Sequence, residues 1–545
     1  MKVKTISRSV QEHSRSRASD NHVMRRNITT THNPFQRARE YVRAVNAAKI
    51  DRMFAKPFVA ALDGHVDGVY CLAKHPWDLN AVISGSADGE IRIWDLASQQ
   101  SVWTAQQAHQ GMVRGTCAIP KSRRFLSVGN DRLVKVWHPE QEMTDSAAHR
   151  SSDNAGKGKQ SRLSFAERAR LAALEAQEDN DSNDESGDER LLGDSDREAE
   201  EKEMNDEDQA LYQYGSQQGF LGKTRGLVRN WDGTQTGIER HRLGAVQPVA
   251  TFQGEDSFSA VDHHRNQSVF ATSSSVISIW DINRSQPIKT MEWGADTINT
   301  VKFNQTEVDI LASCGTDRTI ILYDLRTQSP LTKVVTSLKT NAISWNPMEA
   351  FTFAAANEDH NVYLFDMRNL SRSTRIMKGH VSAVLDVDYS PTGEELVTGS
   401  YDRTIRIFSK NDHLSRDMYH GRRMQRVFCV KYTMDDNFIL SGSDDGNVRI
   451  WKARASQKLG PIRNKEKSKQ EYNEKLRNRY KHLPEVRRVL NNRSVPSSVS
   501  KALNKKLTML KSEKRREENR KIYAKNPDGE HKSEYKKSII QVTHK

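Results

Sequence analysis

The sequence predicts an all-β ring of seven four-stranded sheets, on three observations. An aromatic side chain closes a short apolar strand seven times, at Trp94, Trp137, Trp280, Tyr323, Phe365, Phe408 and Trp451. An aspartate stands six residues before the aromatic in six of the seven units: Asp88, Asp131, Asp317, Asp359, Asp402 and Asp445. The segments between, such as VYCLAKH, AVISGS and IRIWDL, alternate with the period of a half-buried antiparallel strand.

The aromatic positions are separated by 43, 143, 43, 42, 43 and 43 residues, so one interval holds a normal repeat plus an insertion of about 100 residues. Four copies end in an aromatic followed by an acid, IRIWDL, ISIWDI, IILYDL and VYLFDM; VKVWHP, IRIFSK and VRIWKA share the frame. An Asp side chain can accept backbone N–H groups in a tight turn, which explains the residue type in GSADGE, GSYDRT and GSDDGN. The third unit has Ser274 in its turn and lacks the acid. Gly64-His65 and Gly379-His380 open units one and six, with Ala108-His109 and His420 as looser versions. A unit of 40 to 45 residues with these marks is the signature of a seven-bladed WD-repeat β-propeller. His65, Asp88, Trp94, Asp131, Trp137, Trp280, Asp317, Asp359, His380, Asp402, Asp445 and Trp451 are therefore read as residues that hold blades together, with no catalytic role.

In chain order, residues 1–55 form a basic extension with 12 Lys+Arg against 4 Asp+Glu. A helix is expected over residues 33–54, with Asn33 as N-cap and Pro34 at the first helical position. Its apolar face, Phe35, Ala38, Tyr41, Val42, Val45 and Met53, should pack on the ring or a partner. Residues 56–139 carry blades one and two, and PFVAAL at 57–62 sits where an outer strand would complete the last blade and so close the ring. Residues 140–245 are an acidic insertion expected to be largely disordered, with a helix expected from Ser164, where Glu167 three residues on completes a capping box. It holds 17 acids against three bases between Glu175 and Asp208. Residues 246–455 carry blades three to seven. Residues 456–545 are a basic helical extension; from residue 452 to the end there are 28 Lys+Arg against 10 Asp+Glu. Two apolar stripes, Tyr472, Leu476, Tyr480, Leu483 and Val499, Ala502, Leu503, Leu507, Leu510, imply helices that dock on something.

The composition narrows function. No run of about 18 apolar residues and no secretory apolar segment is present, so membrane spanning and secretion are not expected. Cys71, Cys117, Cys314 and Cys429 lack C-x-x-C spacing and read as reduced thiols. GFLGKT near 219–224 resembles a phosphate loop only superficially, because Gln217 stands where its first glycine would be. With no nucleotide loop, zinc spacing or triad, no enzyme, metal, cofactor or small-molecule substrate is expected. The formal net charge of +14 averages over opposed regions. Both ends are basic, as on many nucleic-acid-binding proteins. Candidate phosphate contacts are Arg487, Arg488, Lys505, Lys506, Lys511, Lys514, Arg515, Arg516, Arg520 and Lys521, the simpler reading of the stretch around Glu513, Glu517 and Glu518 being a solvated charged helix.

FAKPFVAALDGHVDGVYCLAKHP, TNAISWNPMEAFTFAAANEDHNVYLFDMR, HVSAVLDVDYSPTG and the basic HLPEVRRVLNNRSVP with KRREENRK resemble the Sof family of WD-repeat proteins. The resemblance covers almost the whole chain except the insertion. It implies a non-catalytic scaffold of the nucleolar small-subunit processome, acting in pre-rRNA processing towards 18S rRNA. The implied partners are processome proteins, pre-rRNA and box C/D guide snoRNA, and the implied location is the nucleus and nucleolus. A second reading is a substrate receptor of a cullin-RING ubiquitin ligase. The endings Tyr323-Asp324-Leu325-Arg326 and Phe365-Asp366-Met367-Arg368 are similar to the pattern read by that ligase's propeller adaptor, which makes Arg326 and Arg368 its candidate contacts.

Overall fold

The computed structural model describes residues 35–76, 78–139, 247–293, 296–327, 329–523 and 533–544. Asn33, Pro34, the helix expected from Ser164, the acidic run and residues 217–224 lie outside these.

Seven antiparallel sheets form the ring. Their first strands, Val69–Lys74, Val113–Ala118, Ala260–His263, Ile298–Phe303, Thr340–Trp345, Val384–Tyr389 and Val427–Tyr432, each touch the next and the last touches the first. The aromatic closing each third strand is buried: Trp94, Trp137, Trp280, Tyr323, Phe365, Phe408 and Trp451 are at most 3% exposed. Burying so large a side chain once per repeat fixes the 43-residue frame, because each ring fills the gap between a blade and its neighbour. Outer strands vary more. Blade 7 takes its fourth strand from the start of the chain, Phe58–Leu62, antiparallel to Val448–Lys452 with Leu62 opposite Val448. Leu62 is fully buried, and Phe58 meets Trp451 edge to face at 5.5 Å. Blade 4 gains a fifth strand, Ile539–His544, paired with Pro330–Thr336.

Polar side chains knit the blades in three grades. In blade 2, His109 Nδ1 meets Asp131 at 2.9 Å and its Nε2 meets Ser127 Oγ at 2.7 Å, which also accepts from Trp137 Nε1 at 2.8 Å. Blade 6 repeats this with His380, Asp402 and Thr398, and Phe408 in place of tryptophan. Blade 1 is altered: His65 Nε2 meets Ser84, but its Nδ1 lies 3.4 Å from Glu90, not Asp88. Asp88, Asp317 and Asp359 accept the backbone N–H two residues on, at 3.0–3.1 Å. Asp445 departs from the expected turn role and is instead gripped by the Arg449 guanidinium. Trp280 and Trp451 donate to Thr272 and Ser441 without a histidine. At the channel, Asp262, Asp386 and Asp388 accept backbone N–H groups of the next blade, from Phe303, Val430 and Tyr432. Lys74 reaches Asp388 two blades away at 2.6 Å. The cysteines are unpaired thiols; burial pushes Cys71, Cys117 and Cys314 up to about 12.

These networks set a pH response. His263, His264, His360 and His380 are held below the ordinary imidazole value of 6.5, chiefly by burial. Burial opposes ionisation of Asp402, yet the hydrogen bonds from His380 and Thr404 hold its carboxyl below the usual 3.8. In both cases the unfolded chain takes up protons first on acidification, so stability is full above the unfolded values and falls as pH drops. Thermal melting is expected to weaken first between about pH 6.5 and 5, from the histidines, and again below about pH 4. A melting temperature constant from pH 7.5 to 5 would contradict the first stage.

Candidate functional site

Both chain extensions fold onto one another. Helix α1 (Gln36–Met53) packs against α2 (Asn464–Tyr480) and α3 (Pro484–Asn491) around Ala44, Ala48, Leu476 and Val486, flanked by Tyr41, Val45, Tyr472 and Tyr480. The stripe Tyr472, Leu476, Tyr480 thus docks on the chain's own N-terminal helix. The face of α1 that does so is not the one with the largest apolar residues. Phe35 and Met53 are each 70% exposed and Val42 faces out, while Glu40, Ala44, Ala47 and Ala48 are buried. Small side chains let the helices approach closely, and that packing outweighs burial of the bulkier stripe. The two acids of α1 turn inward: Glu40 accepts from Tyr480 at 3.0 Å, and Asp51 is held by Ser456 and Arg477. Arg52 ties α1 to Asp417 of blade 6 at 3.0 Å.

Pro484 opens α3 at a position where its missing N–H costs nothing. Past α3 the chain is threaded into the propeller. Arg493, pushed down to about 10 by burial, donates to Ser415 at 2.8 Å, and Ser494 O meets His420 at 3.2 Å. Helix α4 (Ser497–Tyr523) then runs over blade 6. Of its expected apolar stripe only Val499 is buried and Leu503 half-buried; Ala502, Leu507 and Leu510 are exposed, because only the first turns of this long helix meet the ring. The short helix α5 (Glu534–Lys537) ties back to α4 through Lys537 and Glu517 at 2.7 Å and to blade 5 through Glu534 and Lys378 at 2.8 Å, before the fifth strand of blade 4.

The candidate phosphate contacts divide. Arg487 and Arg488 are exposed on α3; Lys505, Lys511, Lys514, Arg515, Arg516, Arg520 and Lys521 are exposed along α4. Lys506 differs: it is half-buried, donates to His380 O at 3.0 Å, and burial lowers its ammonium below the ordinary value. Lys506 is thereby a tether of α4 to blade 6. The others are spread over two helices and form a surface, not a pocket.

Arg326 and Arg368 lie on the opposite ring face, at the ends of the third strands of adjacent blades 4 and 5 (Thr319–Asp324 and Val362–Asp366). Each folds back on the acid two residues before it, Nε and Nη2 both bonding: Arg326 on Asp324 at 3.2 and 3.1 Å, Arg368 on Asp366 at 3.1 and 2.9 Å. Arg368 also lies 4.4 Å from the centre of the Phe351 ring. Both guanidiniums stay open to solvent, pre-oriented on the same rim.

Among the described residues, His65, Asp88 and Glu90 bring potential cation ligands within 4.8 Å of one another. Arg92 Nη2, 2.7 Å from Glu90, already supplies positive charge there, so the set is a blade fastening. No described helix is long and apolar enough to cross a membrane.

Sequence reasoning passed over one exposed group, Arg422, Arg423 and Arg426 on the crossover into blade 7. The signal was the string GRRMQR, three cations around one apolar anchor, small beside the charge of the tails.

Comparison with known proteins adds family. Residues 453–539 match the model of the Sof1-like domain, and residues 56–95, 371–409 and 417–452 match the WD domain, G-beta repeat. The chain is 42% identical to Protein SOF1 of Saccharomyces cerevisiae, over 100% of this chain and 96% of that protein. It is 38% identical to the DDB1- and CUL4-associated factor 13 of Homo sapiens, over 99% of this chain and 100% of that one. The crystal structure of the WD40 beta propeller domain of Doa1 superposes with a TM-score of 0.46 at 16% identity, covering 73% of this chain and 96% of that one.

Proposed function

The chain belongs to the Sof1-like family of WD-repeat proteins, and on that premise we propose that it is a non-catalytic scaffold of the nucleolar small-subunit processome, serving pre-rRNA processing towards 18S rRNA. The observation that carries this reading is the asymmetry of the extension. The apolar residues of α2 and α3 and the acids of α1 hold α1, α2 and α3 together, while the arginines and lysines of α3 and α4, Lys506 excepted, stay outside. A surface of cations that no described acid pairs suits the phosphates of pre-rRNA or guide snoRNA, since cations gain affinity by releasing counterions. Point-charge contacts carry no base information, so positioning of RNA is the role assigned to them. The propeller faces supply the protein contacts, as stacked sheet edges and loops on a closed ring.

The test is the variant with Arg487, Arg488, Arg515 and Arg516 all changed to Glu. These side chains are exposed, so the propeller should melt normally. The variant is expected to shift from the pre-ribosomal fractions of a sucrose gradient to the free pool and to lower 18S rRNA output severalfold. Normal co-sedimentation of the folded variant would move attachment to the propeller faces.

A second reading, receptor of a cullin-RING ligase, is favoured by one observation: Arg326 and Arg368 are each fixed by their own aspartate and open to solvent on one rim. The relatives named DDB1- and CUL4-associated factor 13 add to it. Arg326→Ala with Arg368→Ala is expected to abolish co-precipitation of the propeller adaptor while leaving gradient sedimentation unchanged.

A further inference from the structure

The face of the ring crossed by α4 carries a second concentration of cations that belongs to the propeller. The crossover from blade 6 to blade 7 runs His420-Gly421-Arg422-Arg423-Met424-Gln425-Arg426. Met424 is 1% exposed and anchors the loop in the core shared by blades 6 and 7. With its centre pinned, Arg422, Arg423 and Arg426 are displayed outward, and none forms an ion pair with a described acid. Beside them, Arg403 occupies the left-handed position of the blade 6 turn at φ 63° and is also exposed. Four guanidiniums without a described carboxylate partner on a short, anchored surface repel one another, an arrangement that costs stability unless an anion neutralises it.

Aromatic rings lie among them. Arg426 stands 5.2 Å above the Tyr401 ring, Tyr401 meets Phe428 edge to face at 6.3 Å, and Phe428 stacks on Tyr70 at 4.2 Å and 13°. Tyr401 is 39% exposed, so part of its side chain is open to solvent beside Arg426. The nearby acids are Asp67 and Asp444, both of which act on Tyr70; Asp444 also lies beside Arg426, its N–H meeting Arg426 O at 3.0 Å, with its carboxylate near Gly68. No described carboxylate forms an ion pair with the arginine end. That end is continuous with the tail, because Ser494 O meets His420 and α4 begins three residues later, bringing the exposed Lys501 and Lys505 to the same face.

We propose that the loop 420–426, with Tyr401 and Arg403, is a binding site for single-stranded RNA on the propeller itself, the arginines taking successive phosphates and Tyr401 stacking an unpaired base. An acidic peptide would use the arginines but has no need of the exposed ring, whereas unpaired nucleotides use both. The site deepens the reading of the protein as an RNA-contacting scaffold, and it makes the ring, and not only the tail, part of the contact.

The experiment titrates the full chain with a fluorescent 15-nucleotide polyuridylate at several salt concentrations. Changing Arg422, Arg423 and Arg426 together to Glu is expected to weaken binding at least about tenfold and to flatten the slope of log affinity against log salt by about 2, since each phosphate contact on a single strand contributes roughly 0.7. Tyr401→Ala is expected to weaken binding about fivefold with the salt slope unchanged. Melting curves of both variants should match the parent, because the replaced side chains are exposed. Unchanged affinity and slope in the loop variant would overturn the site. So would displacement of the RNA by polyglutamate of equal charge together with a silent Tyr401→Ala, which would make the loop an acidic-peptide surface. The tail variant with Arg487, Arg488, Arg515 and Arg516 reversed is titrated alongside. Loss there with none in the loop variant refutes only the ring site; the opposite result refutes only the tail reading.

Discussion

A chain lacking residues 1–62 is expected to be recovered mainly as insoluble or unfolded protein. The truncation removes the fourth strand of blade 7 and leaves the edge of Val448–Lys452 unpaired. It takes away Leu62, which is fully buried, and Ala60. It also removes the backbone bond from Lys452 N to Pro57 O at 2.8 Å. Losing one buried leucine costs about 3 kcal/mol and each ladder hydrogen bond about 1 kcal/mol, so the whole strand is worth on the order of 5 to 10 kcal/mol. That is comparable to the entire stability of a typical domain, about 5 to 15 kcal/mol, and the freed edge is a template for pairing with other chains. Leu62→Ala isolates the effect: a soluble protein with a denaturation free energy lower by about 3 kcal/mol is expected. A soluble truncation that melts like the full chain would show that the ring closes without its first strand.

Leu476→Asp should separate the extensions from each other while sparing the blades. Leu476 is fully buried between α1 and α3 in a cluster of apolar side chains, where a carboxylate would lose its hydration. An unpaired buried charge costs about 4 kcal/mol or more, beyond what three short helices with small apolar contacts supply. Hydrogen exchange should show residues 36–53 and 464–491 losing protection together, with blade strands such as Val384–Tyr389 unchanged. Protection retained in α1 alone would mean that Arg52 and the ring hold this helix independently of α2.

The propeller was legible because its marks are large and periodic. A tryptophan or its substitute filling the gap between sheets cannot shift by one residue without losing the core, so Trp94 through Trp451 announce the frame. The helices of the extension were legible as elements, but their buried faces were not. Hydrophobicity along α1 points to Phe35, Val42 and Met53 as well as Tyr41 and Val45; only the last two join the contact, whose centre is made by alanines, with the advantage of close approach to a partner known only in three dimensions. The fifth strand at Ile539–His544 is too short to stand out from a charged tail, since a strand of six residues gains its meaning from the edge it meets. Blade 1 shows the limit at a single site: Asp88 has the expected spacing, yet Glu90 is the acid that reaches His65. Cations are hardest to read. Lys505 and Lys506 are neighbours of identical chemistry, one exposed and one spent on a carbonyl of blade 6, and the arginines of the 420–426 loop were hidden by the heavier charge of the tails.

The join between Phe58–Leu62 and Val448–Lys452 also puts a clock into the molecule. Roughly 390 residues separate the two halves of that blade, and a ribosome adding about 5 to 20 residues per second needs about 20 to 80 s to cross that distance. Throughout that interval the newborn chain carries an apolar strand whose only partner has not been made. The six complete blades can form as they emerge, but the ring cannot shut until the seventh is out, so closure comes late in synthesis, with only the C-terminal extension still to follow, and every molecule passes that interval with a sticky end waiting.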